Sequence, residues 1–400
     1  MADGGVALPA TCPPPSALCH PPSLMRHLHG RAFVDGVLRD DILISLRDDG
    51  VIDDVAQTTT RPVGTERVSG IVVPGFIDVH VHGGDGADFM DAHEEGNTRI
   101  LAFHARHGTT ALAATTLSAS RADLHAAVEM IATTVRSGAA GAEIVGVHLE
   151  GPYIHPDRAG AQDRASIREP DMHEVSALIS LAPRLRWMLT LAPETTGARG
   201  LIEHFRDRML FSIGHTTAGH AVAVAALEWG AAHFTHLYNA MTGLHHRDPG
   251  VVGAALTSVD ATAELIADGI HVHPAALRVA VTAMPHRIAL VTDAMRACGL
   301  ADGTYKLYDH DVIVEDGAAR LPDGTLAGSV LTMSRAVQNM VELAGFPIET
   351  VLPLATEIPA RIAGVSDRKG RIEKEFDGDL VLMSERFEME RVWARGREVE

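Results

Sequence analysis

The chain has 400 residues, with 34 Lys or Arg against 52 Asp or Glu, a formal net charge of −18 with neutral His. That balance excludes a general nucleic-acid binder and a binder of anionic membranes, because both need a basic surface. Hydrophobic residues at 46% and charged residues at 22% are those of a soluble globular protein, long enough for a barrel of about 250 residues plus a smaller module.

Residues 1 to 25 are rich in Pro, Ala and Ser, which predicts a disordered or loosely attached extension. It holds Cys12 and Cys19; the third cysteine is Cys298. Three cysteines cannot form a disulfide framework, so a reducing, cytoplasmic setting is expected. No basic-then-apolar leader opens the chain, and no apolar run approaches 18 residues. Neither a signal peptide nor a membrane span is expected. Short apolar runs between residues 26 and 73 alternate with Asp-Gly turns, which predicts antiparallel β-structure. Residues 365–400 repeat that style. The two ends are expected to build a small β-sandwich around an inserted catalytic domain, residues 74–364.

Within that middle, apolar strands are predicted at 75–83, 109–117, 143–151, 185–193, 209–216, 233–240, 262–270 and 286–294. Amphipathic stretches at 97–107, 121–137, 218–230 and 273–284 separate many of them. Strands alternating with helices predict an α/β fold, a (β/α)8 TIM-like barrel. An open doubly wound sheet is the alternative, but no GxGxxG follows the first strand. Residues 305–328 read as a β-hairpin excursion, and 334–345 and 350–364 as helices.

Ionisable residues gather at the C-terminal ends of these strands, the rim where barrels carry their active sites. The first strand ends in His80 and His82, whose spacing of two puts both imidazoles on one face. Glu150 ends the third strand, His215 the fifth, His236 the sixth and Asp293 the eighth. Each has a bland reading alone: an H-x-H can be structural, a Glu before Gly-Pro can cap a turn, and a strand-end Asp can cap a helix. Together they point to a site for Zn²⁺ or Fe²⁺, since imidazole and carboxylate suit both ions. No candidate strand holds a Lys, which excludes a carboxylated-Lys bridge and Schiff-base chemistry. Such a site predicts hydrolysis of a C–N bond, with Asp293 moving a proton from water to the leaving nitrogen.

The segments PGFIDVHVHG, HLEGPY, GHT, THLYNAM, ADGIHV, VTDAM and GTLAGSVLTM occur in this order. They make residues 30 to 395 resemble the N-acetylglucosamine-6-phosphate deacetylase family of the amidohydrolase superfamily. The resemblance implies removal of acetate from the 2-acetamido group of the sugar phosphate. It implies Glu150, His215 and His236 as principal metal ligands and Asp293 as the catalytic acid and base. His80 and His82 match a second metal position, so one or two divalent ions are expected per subunit. Asn239 and Ala240 match a turn that contacts phosphate and sugar, and His271 a histidine that binds the sugar. Arg247 matches an arginine reaching the substrate phosphate of a neighbouring subunit, which implies a homodimer, and His246 could assist it. An Arg fork suits phosphate, although the HHRDPG segment by itself reads as an exposed polar turn. Gln162 stands where some members have a histidine near the acetyl group, and it can hydrogen-bond but carries no charge. The alternatives are a deacetylase of an epimeric sugar phosphate (N-acetylgalactosamine 6-phosphate), another amidohydrolase, or, more remotely, a non-catalytic barrel scaffold. The expected partner is a small amino-sugar phosphate, not a nucleic acid or a membrane.

Overall fold

Eight short apolar segments line up as one parallel sheet in strict chain order: Phe76–Val81, Thr109–Thr116, Glu143–Glu150, Arg186–Leu191, Met209–Ile213, His233–Phe234, Thr262–Ile266 and Ile288–Val291. The computed structural model describes Met1 and residues 25–400, so the extension expected over residues 1–25, with Cys12 and Cys19, lies outside the described residues apart from its two ends. The first and last strands meet and nearly close the sheet into a barrel. Val81 bridges Ala294 in parallel, the Asp293 N–H donates to the His80 carbonyl at 2.9 Å, and the His82 N–H donates to the Ala294 carbonyl at 2.9 Å. Every residue of Thr109–Thr116 and Ile288–Val291 is buried. That is expected of strands covered on one face by the barrel interior and on the other by helices. Phe76, Phe211 and Phe234 are fully buried, each contributing about 1.5–3 kcal/mol of hydrophobic stabilisation.

Helices such as Glu94–Arg106, Arg121–Ser137, His220–Trp229 and Pro274–Ala283 connect the strands on the outside. Several expectations change in detail; the fifth, seventh and eighth strands, for example, are shorter than predicted. The sixth strand stops at Phe234 rather than 240, because the chain curls over the rim, with His236, Tyr238 and Ala240 at φ 30, 83 and 49. The single helix expected at 350–364 is two, Ile348–Ala355 and Glu357–Ile362. Pro359 has no N–H to donate to the Ala355 carbonyl and its ring clashes there, so the helix breaks at Thr356.

Both chain ends enter a second, seven-stranded sheet. Its order is Arg397–Glu398, Met389–Ala394, Leu380–Met383, Glu66–Pro74, Arg26–Val34, Val37–Leu46 and Ile52–Gln57. One pair departs from the antiparallel expectation: Arg26–Val34 runs parallel to Glu66–Pro74. A core of its own, including Leu28, Ile44, Leu46, Phe376 and Trp393, holds this sheet together. A three-stranded antiparallel excursion, Gly303–Leu307, His310–Glu315 and Ala318–Arg320, stands over the barrel mouth. No described helix is long and apolar enough to cross a membrane.

Candidate metal centre at the barrel mouth

The rim residues reach the barrel axis by two local devices. His80 lies within the first strand, His82 just past it, and Glu150 ends the third. His215, His236 and Asp293 each stand two residues beyond a strand, at φ 47, 30 and 49. Non-glycine residues in the left-handed region are held there at a cost of order 1–3 kcal/mol each, and such strain concentrates at functional sites. The residue before His215 is Gly214, where a Cβ would come within 2.8 Å of the Thr235 side chain and 2.9 Å of that of Thr190. Only glycine lets this turn sit down on the barrel interior.

Six side chains converge. His215 and His236 place Nε2 atoms 3.0 Å from each other and each 3.0 Å from Glu150 Oε1. His82 Nε2 lies 3.3 Å from Glu150 Oε2 and 3.2 Å from Asp293 Oδ1. His80 Nε2 lies 3.2 Å from His82 Nε2, 3.5 Å from Glu150 Oε1 and 3.6 Å from Asp293 Oδ1. Glu150 therefore sits between two donor sets, His215/His236 and His80/His82. All six residues are buried, and no Lys or Arg among the described residues pairs with either carboxylate.

Tautomers follow from the outer partners. His80 Nδ1 donates to Glu264 Oε2 at 2.9 Å, and His215 Nδ1 donates to the Arg158 carbonyl at 2.7 Å. Both rings then aim an Nε2 lone pair inward, as metal-binding imidazoles do. Burial alone would raise the Glu150 carboxyl, but His80 and His215 outweigh it and hold it well below its usual range. Burial likewise opposes charge on His82, yet Asp293 and Glu150 outweigh it and draw its pKa up to about 9. A pair of carboxylates that draws a proton to this spot would equally draw a divalent cation, and proton and metal compete for the same lone pairs. Imidazole Nε2 atoms clustered around a shared, ionised carboxylate are a donor set that fits a divalent ion.

Glu264 is absent from the residues singled out in the sequence, yet it organises the site. It is fully buried, accepts from His80, lies 3.1 Å from His233 Nε2, and accepts the His236 backbone N–H at 3.0 Å. His148 lies edge-on to His80, with ring centroids 4.5 Å apart, and burial lowers its pKa to about 3, so it stays neutral. Asp78 accepts from Thr292 Oγ1 at 2.5 Å and from the His80 N–H at 3.1 Å, and burial pushes it up to about 7. A signal for Glu264 existed: a strand covered on both faces gives an unpaired charge no place to sit, so a mid-strand Glu requires partners.

A cavity of about 550 Å³ opens above these residues. His82, Glu150, His215, His236 and Asp293 form its floor, and Gln162, Asn239, Ala240 and His271 line it. Gln162 donates to Glu150 Oε2 at 2.5 Å and accepts the Ser118 N–H at 2.6 Å, so its amide holds the carboxylate. His271 Nδ1 donates to Asp268 Oδ2 at 2.6 Å. Arg247 and His246 lie elsewhere, on an exposed turn, bonded to each other at 2.6 Å. They do not line this chain's own cavity.

A barrel whose mouth carries this donor set defines a class of metal-dependent hydrolase. The model of the amidohydrolase family matches residues 71–399, and the chain belongs to that family. Among its relatives, the N-acetylglucosamine-6-phosphate deacetylase of Vibrio furnissii is 37% identical, covering 93% of each chain. That of Bacillus subtilis is 40% identical over 82% of this chain and 84% of its own. An N-acetylgalactosamine-6-phosphate deacetylase of Escherichia coli O157:H7 is 38% identical over 87% and 92%. The solved structure of a variant N-acetyl-D-glucosamine-6-phosphate deacetylase from Mycobacterium smegmatis, in complex with N-acetyl-D-glucosamine-6-phosphate, has a TM-score of 0.88 at 31% identity and covers 94% of this chain and 99% of that one.

Proposed function

We propose that the protein hydrolyses the 2-acetamido group of N-acetylglucosamine 6-phosphate to glucosamine 6-phosphate and acetate. The observation that carries this is the convergence of Glu150, His215, His236, His82 and Asp293 at the floor of one cavity, with His80 in contact with His82. The named substrates of the relatives, and the sugar phosphate bound in the Mycobacterium structure, support the substrate.

Glu150, His215 and His236 would hold one divalent ion, Zn²⁺ or Fe²⁺, and His80 and His82 with Glu150 a second. Such an ion lowers the pKa of water to about 7 and polarises an amide carbonyl. Asp293 faces the same space; burial disfavours its charge, but His80 and His82 outweigh it and keep its pKa low, so it is ionised at neutral pH. Its Oδ1 accepts the proton of the attacking water and returns it to the departing nitrogen. Gln162 and Glu264 hold Glu150 and His80 in place. Asn239, Ala240 and His271 contact the sugar. Arg247 carries no carboxylate partner among the described residues and lies outside its own cavity, which supports a homodimer in which it reaches the neighbour's phosphate. A cytoplasmic setting fits Cys298, buried and free. Two units are assigned: the sheet of residues 26–73 and 365–400, and the barrel of 74–364.

The test is acetate release from N-acetylglucosamine 6-phosphate by protein loaded with Zn²⁺ or Fe²⁺, with metal measured on the same sample. Release by the loaded protein is expected, and kcat/KM for the galacto epimer should be lower. No release under either metal would end the proposal.

A further inference from the structure

A second cavity, larger than the one at the mouth, lies elsewhere among the described residues. About 730 Å³ opens at the opposite end of the barrel, between the starts of the third, fourth and fifth strands and the C-terminal sheet segment. A volume of that size is that of a small-molecule site. Its lining carries five arginines against two carboxylates, although the whole chain is strongly acidic. Both carboxylates are already answered. Arg368 lies 2.6 Å from Glu143 and 2.6 Å from Asp377, and Lys369 lies 3.0 and 2.8 Å from the same two. Arg395 stands a further 3.8 Å from Glu143.

Three arginines remain. Arg184, Arg186 and Arg208 line the cavity, and among the described residues none has an ion pair or a side-chain hydrogen bond. Arg186 opens the fourth strand, and Arg184 and Arg208 lie just before the fourth and fifth, so the barrel itself fixes their spacing. Burial lowers the Arg186 pKa with no acid to offset it. Three guanidinium groups lining one hollow, with no carboxylate of the described residues paired to them, match phosphate oxygens in charge and hydrogen-bonding geometry. Leu101, Val135 and Leu185 add an apolar wall. A bare inorganic ion would leave most of this volume unfilled, so the occupant has a carbon body.

We propose that this floor cavity binds a small organic phosphate bearing at least two anionic groups. The site is separate from the mouth: Glu143 and Glu150 are the two ends of one strand, about 23 Å apart at the rise of an extended chain.

Calorimetric titration of the metal-loaded protein with fructose 1,6-bisphosphate as probe tests this. One saturable, salt-sensitive site is expected. Arg186→Gln with Arg208→Gln should weaken its Kd by about tenfold or more while kcat and KM for the sugar phosphate stay unchanged. Arg247→Ala should leave the probe's Kd unchanged. Arg186→Lys with Arg208→Lys keeps the charge and loses the fork, and should weaken the probe by a smaller factor. No saturable binding up to about 10 mM, or an unchanged Kd in the Gln variant, would overturn the proposal. Citrate binding as tightly as the bisphosphate would overturn the phosphate assignment.

Discussion

Glu143 opens the third barrel strand and Glu150 ends it, and the two ends treat a carboxylate in opposite ways. At the floor, burial works against ionisation of Glu143, but Arg368 and Lys369 outweigh it and hold the pKa to about 2. The chain supplies its own countercharge there. At the mouth, Glu150 meets His80, His82, His215, His236 and the Gln162 amide, with no Lys or Arg beside it among the described residues. Buried charge needs compensation at either end. A closed ion pair fixes structure, whereas imidazole lone pairs around an ionised carboxylate leave the countercharge to a bound cation. Mutations at the mouth should therefore act on metal and rate, and mutations at the floor on stability.

The largest effect is expected for Glu150→Gln, which removes the carboxylate shared by both donor sets. Metal content should fall below stoichiometric, and turnover should drop by roughly 10³-fold or more. Full metal retention, read by elemental analysis, would break the contrast. Next comes Asp293→Asn, expected to lower kcat by about 10²–10⁴-fold with fold and metal kept. Unchanged kcat would remove Asp293 from proton transfer. Glu264→Gln should weaken metal affinity by about 10–100-fold, measured against a competing chelator, with activity recovering at high metal. Loss of rate with no change in affinity would show that Glu264 does not position His80. Arg247→Ala should raise KM for the phosphorylated substrate by about tenfold and spare an unphosphorylated analogue.

The smallest catalytic effect is expected at the floor. The Glu143 pKa is depressed on folding, so its stabilisation is fully present above about pH 4.5 and is lost as pH falls toward 2. Glu143→Gln should lose on the order of 2–3 kcal/mol at neutral pH, with Tm approaching that of the parent in acid, and turnover unchanged. If this variant lost metal instead, the two ends would not be independent.

The mouth was legible in the sequence because its ligands sit at strand ends, where apolar alternation stops and a polar residue follows. His80, His82, Glu150, His215, His236 and Asp293 all fall at such stops. His148, His233 and Glu264 were not legible. They lie inside strands, where a polar residue interrupts the pattern without showing which neighbour answers it. The sixth strand is shorter than its pattern for a related reason: apolar periodicity in HFTHLYNA continues after the backbone has turned left-handed at His236. The helix break at Thr356 has a local signal in Pro359, which lacks the N–H that would bond the Ala355 carbonyl.

From the chain alone, the order of strands and helices, and the identity of the residues closing each strand, were determined. These depend on periodicity and turn chemistry, which act over a few residues. Only the barrel decided that Glu264 would support His80, 184 positions earlier in the chain, and that three arginines from the starts of two strands would share one hollow. Strand order and register set those meetings, and packing across the whole sheet sets strand order.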